Sequence, residues 1–367
     1  MTPARVSISG VLVLGLTVVC TPMVVRAATI TVNPGESIQA AVDAASPGDT
    51  VRVMPGNYTE THGADAAVRV TKRLNLIAKS NRLEKVRILP GTGNRHGILV
   101  EPANPGDPDV QRVKVKGFTV QGFPKNGIWL RYVDDFKIEK NESIDNLENG
   151  IFPTLSANGL VKKNVAYGSE DSALWVEASE NVRVIRNDLS GSPTGLEITV
   201  SKSIVAKSND IHDNTVGIGL YHPNGAALPP LGNDGDWDIT NNNVYNNNMP
   251  NPVSGGLVGS LPPGIGVLLI GVDRVTLQRN TIQGNSLSGL VVADWCAFND
   301  CVADPPVVED KADDNSILSN LMTTNGAGSI DPGFVGLETD VLSISGGTGN
   351  CFSGNTIGTS IGALPPC

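Results

Sequence analysis

A small residue followed by alternating aliphatic residues recurs at GIWLR (Gly127), GIFPT (Gly150), ALWVE (Ala173), GLEIT (Gly195) and GIGLY (Gly217), and again at GVLLI (Gly266) and GLVVA (Gly289). The first five markers lie 23, 23, 22 and 22 residues apart, and an asparagine follows fourteen positions after each of the first four: Asn141, Asn164, Asn187 and Asn209. Two markers held in phase over four periods define a structural repeat. Apolar residues alternate within it, as in Ile128 and Leu130 or Val182 and Val184. That is strand periodicity, and helical spacing is absent. One period holds three short strands separated by bends of Gly, Asn, Asp or Ser. A leucine-rich repeat would need a dense leucine pattern, and a propeller blade a unit about twice as long.

The arrangement that fits is a coil whose turns stack about 4.8 Å apart, each strand pairing in parallel with its equivalent one period away. Asparagines at one bend can then hydrogen-bond along the stack and tolerate left-handed backbone. The expected fold is all-β: a single-stranded right-handed parallel β-helix of about ten turns over residues 28–367. An open first turn would expose strand edges. Ile38, Ala41, Val42 and Ala45 fall at helical spacing before Pro47-Gly48, so a capping helix is expected at about 36–46. Insertions are expected at 102–112, 223–264 and 294–315, with a C-terminal cap at about 330–367.

The repeat and the opening TITVNPGESIQAAVDAASPGDTVRVMPGNYTE resemble the right-handed parallel β-helix proteins of the pectin-lyase-like superfamily over nearly all of residues 28–367. The resemblance is specific for fold and weak for activity. The superfamily includes lyases, epimerases, hydrolases, esterases, metal-delivery proteins and members with no known reaction.

Residues 1–27 hold Arg5, an apolar run and the small residues Val25 and Ala27 before Ala28, the pattern of a signal peptide. Its removal leaves 25 basic and 37 acidic residues. Such a charge balance suits export to the medium or periplasm and disfavours nucleic acid. No membrane span is expected after cleavage, and the chain is expected to be a monomer. Four cysteines remain. Their proximity favours Cys296 with Cys301 and Cys351 with Cys367.

If Ile128 and Leu130 point inward, Trp129 and Arg131 point outward. The first outward column then reads Leu99, Trp129, Phe152, Trp175, Glu197, Gly219, Leu268, Val291, and the second Glu101, Arg131, Thr154, Glu177, Thr199, Tyr221, Ile270, Ala293. Three successive rings among only 4% aromatics, interleaved with carboxylates, suit a polysaccharide. Trp129, Phe152, Trp175, Thr154, Thr199 and Glu101 are the expected substrate-binding residues. Tyr221 and His222 offer a phenol and an imidazole for acid–base work. Glu177 and Glu197, with attachment points roughly 8 Å apart, suit an inverting glycosidase pair. Arg131 is the one cation found on these columns and would meet a uronate carboxylate. Family epimerases pair Tyr and His with an Asp-Pro-His element, which LYHPNG lacks; that departure puts a Tyr–His mechanism in doubt. The sequence specifies no cofactor with certainty, and calcium is the ion suggested by GNDGDWD (232–238) and by Asp310, Asp313 and Asp314. The expected function is an exported carbohydrate-active protein of lyase, epimerase or hydrolase type. The alternative is a non-catalytic glycan-binding or cell-surface module.

Overall fold

A computed structural model of the chain describes residues 27–61, 65–81, 83–222, 235–298, 301–302, 311–329 and 331–367. The expected signal peptide lies outside these but for its last residue, as do residues 223–234 of the second long insertion and 299–300 and 303–310 of the third. No helix among the described residues is long and apolar enough to cross a membrane.

The described residues wind through three sheets of twelve, eleven and eleven strands. The first begins with strand Thr29–Val32, the second with Gly56–Thr59 and the third with Ala66–Val70. Successive turns pair in parallel: Phe136 opposite Gly159, Ser143 opposite Ala166, Trp175 opposite Glu197. Insertions leave the register intact, since Ile218 still pairs with Val267 across the longest one. Inward aliphatics such as Ile128, Leu130, Val184, Ile198 and Leu277 form one continuous buried core.

Helix Ile38–Ala44, capped by the Ser37 side chain on the Ala40 N–H, covers the first turn and buries Ile38, Ala41 and Val42. At the other end no separate cap replaces the coil. Strands Thr339–Ser343, Cys351–Ser353, Thr356–Ile357 and Ser360–Ile361 extend all three sheets through the segment expected as a cap. Cys296–Cys301 and Cys351–Cys367 are both disulfide-bonded.

All three corners are held by side-chain ladders, of which the sequence repeat disclosed one. Between the first and second sheets, each asparagine Oδ1 accepts the backbone and side-chain N–H groups of the asparagine one turn back, in the order 141, 164, 187, 209, 242, 280, 320. Between the second and third, Ser192, Asn214, Asn247, Asn285 and Asn325 do the same work. Between the third and first, Val133, Ser156 and Ser179 donate backbone N–H groups to Ser156, Ser179 and Ser201. Buried bends thereby keep their amides paired.

Candidate functional site on the third sheet

Register stacks Arg69, Leu99, Trp129 and Phe152 on the outward face of the third sheet, followed after Trp175 by Glu197, Gly219, Leu268 and Val291. Trp129 and Phe152 stack with centroids 6.1 Å apart, and Phe152 and Trp175 at 4.6 Å, both nearly parallel. His96, buried beside Trp129 at 4.8 Å, extends the ladder to four rings. Burial lowers its imidazole pKa against the opposing pull of Asp65. The rings lie along the coil axis, so their faces cover one another and only 8% of Phe152 is exposed. Ring edges, not the faces expected for stacking on a sugar, are what the groove receives.

The open floor is shorter than the columns imply. From Val216 onward the outward residues Tyr221, Leu268, Ile270, Val291 and Ala293 are buried in a second apolar cluster with Leu261 and Trp295. Tyr221 is the principal correction: it is fully buried, not placed at a groove edge. Its ring folds back over Gly219, where a Cβ would lie 2.1 Å from the phenol oxygen. Burial, with the Glu197 charge adding to it, pushes the phenol pKa far above its ordinary value. The hydroxyl, directed toward Thr194 and Glu197, has no hydrogen-bond partner of standard geometry. His222 is half-buried and its backbone N–H meets the Ile270 carbonyl at 3.4 Å. The fold therefore does not set Tyr221 and His222 side by side on an exposed groove.

Glu177 and Glu197 lie close enough to feel each other's charge, with Asp171 as a third member. Glu197 is 3% exposed and accepts a 2.5 Å hydrogen bond from the Ser172 hydroxyl. Burial pushes its carboxyl well above the usual range, Asp171 and Glu177 adding to the rise. Asp171 is pushed up to about 6, first by burial and then by Glu148, against Asn149 and Lys125. Glu177, half-buried, is raised by burial and Asp171 while the Thr154 hydroxyl, donating at 3.1 Å, opposes the rise. Thr154 and Thr199 are buried, and Thr199 accepts from the Trp175 indole N–H at 2.9 Å; they brace the site from within. Such a cluster can hold a proton near neutral pH on one carboxyl and accept one on another.

At the other end of the floor a cavity of about 450 Å³ opens between residues Arg69, Glu101, Asn104, Asp107, Arg131 and Tyr132. Glu101 is bound to Arg69 at 2.9 Å. The Arg131 guanidinium lies 5.9 Å from the Trp129 ring and 5.1 Å from the Tyr132 ring and makes no ion pair among the described residues. Arg131 is thus not the only cation on these columns. Arg69 was hidden because loops stretch the period before Gly127, although its strand AAVRV alternates like the rest. Asp171 stands in the bend that strand alternation does not assign, and Ser172 opens the strand Ser172–Glu177 just before the recurring Ala173.

Of the acidic segments that suggested calcium, residues 232–234 and Asp310 lie outside the described residues. Asp236 is paired with Arg274, and Asp313 accepts the Thr348 N–H. Among the described residues no three His, Cys, Asp or Glu side chains are grouped to hold a metal ion.

A family model described as "Periplasmic copper-binding protein (NosD)" matches residues 92–261, less than half the chain. Its printed ligand does not fit the described side chains, because Cys296, Cys301, Cys351 and Cys367 are disulfide-bonded and no metal-binding group of side chains occurs among the described residues. No curated protein matches the chain in sequence. Among solved structures, the A-module of mannuronan C-5 epimerase AlgE4 from Azotobacter vinelandii is similar at a TM-score of 0.67 and 20% identity, over 88% of this chain and 83% of that one. The Dettilon tailspike protein matches at 0.57 and 16%, over 91% and 60%. DFA-IIIase from Arthrobacter chlorophenolicus A6 matches at 0.54 and 13%, over 89% and 79%. At such identities the likeness is one of fold, and that fold is the parallel β-helix.

Proposed function

We propose that this chain is an exported carbohydrate-active protein that binds a polysaccharide across the open half of the third sheet and cleaves it by acid–base chemistry. The carrying observation is the group Asp171, Glu177 and Glu197 at the end of the ring ladder, all with raised carboxyl pKa values. Glu177 is the member assigned as general acid, since it is half-buried where Glu197 is enclosed. Asp171 is assigned as the base, and Glu197 holds Ser172 and keeps the local charge low. Arg131 and the cavity beside it receive the sugar at the far end. Hydrolysis is favoured over lyase or epimerase chemistry because the Tyr221 phenol is sealed away from any sugar. The two disulfides fit an oxidising compartment, and structural relatives named as an epimerase and as DFA-IIIase support carbohydrate as the substrate class.

The exported protein is incubated with a panel of acidic and neutral polysaccharides, with and without calcium. Reducing ends report hydrolysis, absorbance of unsaturated ends reports elimination, and proton NMR reports epimerisation. Glu177→Gln should abolish turnover while retention on the polymer survives, and Trp129→Ala with Trp175→Ala should abolish retention on neutral polymers, to which surface charge contributes nothing. The enclosure of Glu197 and Tyr221 favours one second reading, a non-catalytic glycan-binding module. Retention without turnover across the panel selects it; neither retention nor turnover ends both readings.

A further inference from the structure

The corner between the first and second sheets carries a row of cations in a chain that has 27 basic and 37 acidic residues. Lys140, Lys163 and Arg186 occupy one bend position on three successive turns. Each donates its backbone N–H to the strand-end carbonyl of the next turn, at 3.0–3.1 Å. Immediately before that bend, strand-end residues Lys116 and Lys162 flank Glu139, and Lys207 follows two turns on. Glu139 is already bound by Lys114 at 2.6 Å. The six cations themselves make no ion pair among the described residues. Five turns at about 4.8 Å give the row a length of about 19 Å.

Two costs are built into this row. Like charges stacked one turn apart repel. The three bend residues also sit at φ +57, a left-handed conformation that side chains other than Asn and Asp resist. The same bend is made by Gly117 on the preceding turn and by Ser208 and Asn241 on the following ones, so neutral residues serve there without loss of fold. The left-handed conformation belongs to the bend whatever residue fills it, so it is the repulsion held on three consecutive turns that points to use of the charge. The row begins at a cavity of about 400 Å³ bounded by Lys79, Lys116 and Lys140.

We propose that this edge is a second binding site, for a linear polyanion such as a uronate- or sulfate-bearing polysaccharide lying along the coil axis. A polymer fits the row better than a flat anionic membrane. Beyond the asparagine ladder the second sheet presents Glu142, Asp188 and Asp210 in its outer column, and a plane would press against them where a single chain need not. The row lies at the corner remote from the third sheet, so it does not depend on the reading of the ring ladder. Its role would be to hold the protein on an anionic matrix while the third sheet faces its own ligand.

The test compares the exported protein with Lys140→Asn/Lys163→Asn/Arg186→Asn on immobilised dextran sulfate and polygalacturonate, with neutral dextran as control. Asparagine suits the left-handed bend, so circular dichroism and melting should be unchanged or improved. Wild type should be retained at low salt. The triple variant should bind at least about tenfold more weakly, with a slope of log affinity against log salt smaller by about 2, as expected for three lost contacts to a flexible polyanion. Trp129→Ala with Trp175→Ala should leave this retention intact. Three outcomes overturn the proposal: equal retention of the triple variant, no wild-type retention on either polyanion, or binding to phosphatidylglycerol vesicles without binding to either polymer.

Discussion

Replacing Asn164 by alanine tests the stacking on which every outward column depends. The residue is 1% exposed. Its Oδ1 accepts the backbone N–H of Asn141 at 2.9 Å and the Asn141 side-chain amide at 3.1 Å. Its Nδ2 donates to the Ile138 carbonyl and to Asn187 Oδ1, both at 3.0 Å. Asn187 Oδ1 keeps the Asn164 backbone N–H at 2.9 Å and is not orphaned. The Asn141 N–H and the Ile138 carbonyl each lose a partner inside the bend. At about 1–3 kcal/mol for each of these two buried groups, Asn164→Ala should cost about 2–6 kcal/mol. Asn243→Ala removes an exposed side-chain hydrogen bond and should cost under about 0.5 kcal/mol. Since a coil contacts only its neighbours, the loss should be concentrated between these turns, broadening the urea transition. Urea unfolding followed by circular dichroism gives the magnitude, and amide exchange at Asn141 gives the location. A cost equal to that of Asn243→Ala, or unchanged protection of the Asn141 N–H, would refute the ladder as a source of stability.

Three further outcomes follow from the site and the termini. Asp171 binds its proton more tightly folded, at about 6, than at its ordinary 3.8, so the contribution of this one group to stability is full below about pH 4 and is lost, about 3 kcal/mol in all, as pH rises through about 6. Asp171→Asn should flatten that part of the melting-temperature profile between pH 4 and 7, and an unchanged profile would contradict the burial of this carboxyl. Tyr221→Phe deletes an unpartnered buried hydroxyl and should alter stability by no more than about 1 kcal/mol while turnover continues; a large loss of turnover with an unchanged melting temperature would reinstate the phenol as an acid. Cys351→Ser with Cys367→Ser opens a link of sequence separation 16 and should cost the last turn about 3 kcal/mol. Exchange protection should fall at residues 351–361 and persist at 128–199.

The repeat made the coil, one corner ladder, the capping helix and both disulfides legible, because each is set by neighbours at short or fixed separation. The third ladder has no asparagine to mark it, being built of Ser156, Ser179 and Ser201, and in the second Ser192 breaks the run of asparagines while making the same backbone bond. Arg69 escaped because early loops shift its phase. The aromatic column was read from alternation alone, yet alternation cannot tell a ring face from a ring edge. That depends on the inter-turn spacing, which stacks Phe152 between two indoles.

The sequence by itself determined which side chains share an outward row, since a period of 22 or 23 residues leaves no other way to pair the strands. Only the tertiary structure decided which part of that row meets solvent. Leu261 and Trp295, 40 and 74 positions beyond Tyr221, come from insertions outside the repeat and fold back over the later turns. They share a buried apolar cluster with Tyr221, whose ring lies over Gly219, the neighbour of Glu197 in the row. Burial by a distant loop is a three-dimensional fact with no period in the chain, and it keeps the phenol from solvent.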